Sequence, residues 1–66
     1  MKWAVEQVYF DSGLMRVRMR KAEKGEKAKR EERTRSDIYV DIFRSKDAAS
    51  AFARECRELA TARHAN

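Results

Sequence analysis

Proline is absent from this 66-residue chain, Gly13 and Gly25 are its only glycines, Cys56 its only cysteine and His64 its only histidine. A single thiol forms no intrachain disulfide and leaves no cysteine pair to hold zinc. That pattern is expected of a reducing, cytoplasmic setting. One histidine near the end of the sequence gives no positioned acid–base pair and no activated nucleophile. Two isolated glycines cannot make a phosphate-cradling loop. No apolar run approaches the ~20 residues of a membrane span, and the opening residues lack the charged start and apolar core of a leader. The chain is therefore expected to be a soluble protein that is not an enzyme and carries neither metal nor cofactor. Cys56, placed between Phe52 and Leu59, reads as a small core hydrophobe.

Charge is plentiful. Sixteen Lys and Arg stand against 11 Asp and Glu, a formal balance of +5 that favours polyanionic or acidic partners. A chain this short buries only about 60% of its unfolded surface, so a second copy would add useful stability. One small α+β domain over residues 1–63 is expected, with a tail at 64–66.

The organising stretch is Met15–Arg20, where Met15, Val17 and Met19 alternate with Arg16, Arg18 and Arg20. A period of two marks a half-buried strand with one apolar and one cationic face. The segment before it, Lys2 to Phe10, is rich in Trp, Val, Tyr and Phe, which suit a pleated surface. Asp11-Ser12-Gly13 joins the two as a type I turn closed by a G1 bulge, with Gly13 at positive φ. That turn pairs Phe10 with Leu14, Tyr9 with Met15, Val5 with Met19 and Trp3 with Lys21. Trp3, Val5, Tyr9, Met15, Val17 and Met19 then share one side, with Gln7 as the single polar intruder. Glu6 falls opposite Arg18, and a slip of one residue would drive the arginines into the core.

Residues 21–37 change character. Apart from Ala22, Ala28 and Gly25 they are polar, with no apolar stripe of either period. Glu23–Lys27, Glu26–Arg30 and Glu31–Arg35 are spaced for helix-surface pairs, but nothing would bury the helix, so a long, charged, mobile loop is expected. Ile38 to Phe43 reads as a third strand with Ile38, Val40 and Ile42 inward and Tyr39, Asp41 and Phe43 outward. Ser45 is placed as an N-cap with Asp47 in the first turn. Ala49, Phe52, Ala53, Cys56, Leu59 and Ala60 then recur at helical spacing, with fraying after Ala62. The expected fold class is α+β: a three-stranded antiparallel meander packed on one C-terminal helix, in the order β-β-β-α.

One helix covers one sheet face, so the other stays open. Two functions are expected of it. In the first the chain is a small basic nucleic-acid-binding protein. Arg16, Arg18, Arg20 and Tyr39 contact phosphates and bases, and Lys27, Lys29, Arg30, Arg33 and Arg35 form an electrostatic fringe. In the second it is a protein-interaction module, as a homodimer, adaptor or inhibitor, that buries Val8, Phe10, Leu14 and Phe43 against a partner. The junction Phe43-Arg44-Ser45-Lys46-Asp47-Ala48-Ala49-Ser50-Ala51-Phe52 is similar to the strand-to-helix junction of plant AP2-type DNA-binding domains. It is one residue short between the phenylalanine and the alanine pair, and the strand motifs of those domains are absent from Trp3–Arg20. The resemblance implies three strands followed by a helix, with DNA read by the sheet.

Overall fold

In the computed structural model, which describes residues 1–64 and their side chains as far as residue 59, the chain is α+β. An antiparallel sheet of four strands, β1 (Trp3–Phe10), β2 (Met15–Lys21), β3 (Lys29–Glu32) and β4 (Ser36–Phe43), is followed by one helix, α1 (Lys46–His64). The tail expected at 64–66 begins inside α1, and residues 65 and 66 lie outside the described part. No described helix is long and apolar enough to cross a membrane.

The β1–β2 hairpin forms in the register that the turn dictates, from Trp3 opposite Lys21 to Tyr9 opposite Met15. The Phe10 amide donates to the Leu14 carbonyl at 2.9 Å, the Gly13 amide to the Phe10 carbonyl at 3.0 Å, and Gly13 sits at φ +94°. A Cβ there would meet no neighbouring atom, so the demand for glycine is purely conformational.

Beyond β2 the structure corrects the expectation. The sheet order is β2-β1-β4-β3, so the last strand pairs with β1 and the meander is lost. The expected 21–37 loop contains a fourth strand, and only residues 22–28 and the 33–35 turn remain outside strands. Lys29-Arg30-Glu31-Glu32 has no apolar residue to announce a strand. It forms because β4 offers a row of backbone partners, and charged side chains suit an exposed edge. Two of the charges that looked spaced for a helix, Arg30 and Glu31, pair two residues away instead, with Glu32 and Arg33, each at 3.3 Å.

Pairing β4 with β1 also reverses its faces. Phe43 stands opposite Trp3 and Val40 opposite Glu6. Phe43, Asp41 and Tyr39 therefore share the helix side, while Ile38, Val40 and Ile42 share the side of the arginines. Phe43 is held there by Phe52, whose ring centroid lies 5.2 Å away. The core beneath α1 consists of Val5, Ala49 and Ala53, with Trp3, Val17, Met19, Phe43 and Phe52 packed around it.

The helix begins as its cap residue requires. The Ser45 hydroxyl accepts the Ala48 amide at 3.1 Å, and Asp47 lies in the positive first turn. Cys56 is buried in the helix–sheet contact, and burial pushes its thiol pKa up, away from reactivity. Leu59 departs from the expected stripe: it is 64% exposed.

On the side away from α1, Ala4 and Val40 are nonetheless buried. The 22–28 connection must pass from the β2 edge to the β3 edge, and Arg20 on this side clasps it. Arg20 donates to both carboxylate oxygens of Glu26, at 2.8 and 2.6 Å, and lies 3.8 Å from Glu6. The expected Glu6–Arg18 pair is thus replaced by a diagonal contact to Arg20. The bonds from Arg20, then the Glu23 amide, lower the Glu26 pKa from 4.5 to about 2. A depressed folded-state value means that this clasp stabilises the fold above pH ~4.5 and is lost as pH falls toward 2. Glu26→Gln is expected to remove that component: the difference in urea midpoint between wild type and variant, followed by circular dichroism, should shrink from pH 5 to pH 2. A difference that is constant with pH would refute the clasp.

Candidate docking surface on the open sheet face

The uncovered face is built from alternate residues of all four strands. Its hairpin end holds Val8, Phe10 and Ile38, with Leu14 at the turn, while Ile42 lies beyond the buried Val40, opposite Ala4. Val8 and Ile38 are directly opposite one another. Phe10 is 37% and Leu14 63% exposed. Along the β2 margin run Arg16 and Arg18, both exposed and neither forming an ion pair among the described residues. Lys29 and Glu31 mark the opposite margin on β3.

Several residues expected on this face lie elsewhere. Tyr39 is on the helix side, edge-on to Tyr9 with centroids 5.6 Å apart and planes at 88°. The Arg30 guanidinium, also on that side, stands 5.3 Å from the Tyr39 ring. With one neighbour over its ring and another against it, Tyr39 is no open platform for a base. Phe43 belongs to the core, and Ile38 takes its place in the apolar patch. Arg20 is engaged by Glu26, whose hydrogen bond raises the guanidinium pKa further. Arg33 is paired with Glu31, Arg35 lies in the β3–β4 turn, and Lys27 is exposed on the 22–28 strap. The nine cationic and aromatic residues first considered together are thus distributed over both faces and the rim. Ile38 could have been found from sequence only by knowing that β4 neighbours β1.

On the helix side, the part of the sheet left bare by α1 forms an open depression of ≈ 530 Å³ lined by Gln7, Tyr9, Asp37 and Tyr39. Gln7, at 8% exposure, is the polar intruder of the sequence pattern. Its Oε1 accepts the Tyr9 hydroxyl at 2.5 Å, which satisfies a buried amide oxygen.

No protein-family model matches the chain, and neither a curated protein nor a solved structure is significantly similar to it. Its four-stranded β2-β1-β4-β3 sheet also departs from the three strands and helix that the AP2-like junction implied.

Proposed function

We propose that this chain is a small, non-enzymatic protein-interaction module whose open sheet face docks an acidic protein. One observation carries the reading: Val8, Phe10, Leu14 and Ile38 share the hairpin end of the face that α1 leaves bare, with Arg16 and Arg18 as a cationic rim. Interfaces are built this way, with an apolar centre for affinity and charge at the rim for orientation and encounter rate. The aliphatic side chains of β4 provide no stacking surface for bases, and the net charge of +5, which suits any anionic partner, requires a protein docked here to be acidic.

Nucleic-acid binding is the second reading, favoured by the row of Arg16 and Arg18 without carboxylate partners. Capture on immobilised protein separates the two. Wild type is expected to retain a protein before and after nuclease treatment, and a Leu14→Glu variant is expected to lose it. Retention only of nuclease-sensitive material would overturn the first reading. The second predicts oligonucleotide affinity that falls steeply between ~50 and ~200 mM salt.

A further inference from the structure

We infer that the partner joins β2 as an added strand, an extended segment in which acidic and apolar residues alternate. The phase of the β1–β2 ladder carries this inference. The Phe10 amide bonds the Leu14 carbonyl and the Ala22 amide bonds the Lys2 carbonyl, both at 2.9 Å. Even-numbered residues of β2 therefore exchange bonds with β1, and the amides and carbonyls of Met15, Val17, Met19 and Lys21 point away from the sheet. β2 is also one of the two edge strands, seven residues long, without the brevity that protects β3 at the other edge. One outward carbonyl already draws a donor: Arg57 of α1 reaches the Val17 oxygen at 3.4 Å. An added strand would offer an amide at that position.

The side chains of β2 select what can pair there. Arg16 and Arg18 stand exposed on one side of the edge, and Met15, Val17 and Met19 are half-buried on the other. A second copy paired antiparallel about Val17 would set Arg16 against Arg18 of its mate twice, and like charges directly opposite are destabilising. A strand with carboxylates at alternate positions would instead face both arginines, while its apolar residues extend the row of Met15, Val17 and Met19. Backbone bonds would supply affinity and the alternation would supply specificity.

This inference rests on the proposal that the arginine-bearing side of the sheet meets a protein: one strand of that protein joins the β2 edge, and the rest of it covers Val8, Phe10, Leu14 and Ile38. The probe is a synthetic peptide of roughly seven residues, a strand's length, alternating glutamate and valine. It is titrated into the whole chain at low salt beside an analogue N-methylated at alternate amides. Saturable binding is expected, with slowed hydrogen exchange at the Val17 and Met19 amides. N-methylation and the double change Arg16→Glu, Arg18→Glu should each weaken binding at least about tenfold. Equal binding of the N-methylated peptide, or perturbation confined to Val8, Phe10, Leu14 and Ile38, would overturn strand addition while leaving a protein-binding face. Absence of saturable binding would also overturn strand addition. Binding of single- or double-stranded oligonucleotide with steep salt dependence, together with no peptide binding, would overturn the protein-partner reading itself.

Discussion

Truncating Phe52 to alanine is expected to destabilise the fold by about 3 kcal/mol, near the low end for a core phenylalanine because the ring is half-buried. A chain of 66 residues has a total of roughly 3–10 kcal/mol to lose, so the variant should forfeit about a third or more of its stability and unfold at a much lower urea concentration. The effect is large because the core is made mostly of small side chains. Ala49 and Ala53 let α1 approach Val5 closely, and Phe52 supplies the bulk that meets Phe43 and joins the cluster around Val5. The control is Leu59→Ala. Leucine looks like the more valuable residue in a helical apolar stripe, yet at 64% exposure its loss should cost under about 0.5 kcal/mol. Urea unfolding followed at 222 nm reads both variants. Comparable losses would mean that α1 is rotated about its axis from the orientation described.

The contrast between these two residues indicates how far the sequence could be read. The β1–β2 hairpin was legible in full because independent signals agree there. Alternation at Met15–Arg20, β-favouring residues at Trp3–Phe10 and a glycine-closed turn leave one register. The helix start was legible from Ser45 for the same reason. β3 was not, because its stability comes from a neighbour: Lys29 to Glu32 bury little and form a strand only against β4. β4 was legible as a strand but not in orientation. Ile38, Val40 and Ile42 compete with Tyr39 and Phe43 for the core, and only the choice of β1 as neighbour decides between them. Candidate-site residues followed the same division. Those on the hairpin, Val8, Phe10, Leu14, Arg16 and Arg18, share one face as its register implies, while Tyr39 and Phe43, which depend on β4, fell on the other face.

The uncovered face also explains why the 22–28 connection is clasped. A sheet with apolar residues on both faces and one helix must cover part of the second face by other means. The strap held by the Arg20–Glu26 bonds lies at the end bearing Ala4 and Val40 and stops short of Phe10 and Leu14. The patch that remains is the portion that no described segment covers. Its exposure is therefore a property of the topology, and a partner would complete the burial that the strap begins.

Phe10 and Phe43 make the sharpest test of that arrangement, because the sequence gives them similar settings at the ends of two strands. Phe43→Glu should strongly destabilise the fold: it removes the ring that meets Phe52 and sets a carboxylate against the helix-side core, a loss of at least about 3 kcal/mol. Phe10→Glu changes a residue on the bare face and should shift stability by less than about 1 kcal/mol. It should nevertheless weaken partner binding by about 2 kcal/mol or more, roughly thirtyfold, because a charge would enter the apolar centre of the interface. Thermal unfolding separates the two variants without any partner, and an environment-sensitive apolar dye should bind the Phe10→Glu protein less than wild type. A folded Phe43→Glu protein together with an unfolded Phe10→Glu protein would exchange the two faces of the sheet. That result would move the docking surface to the Tyr9–Tyr39 side and overturn the interaction proposal as stated.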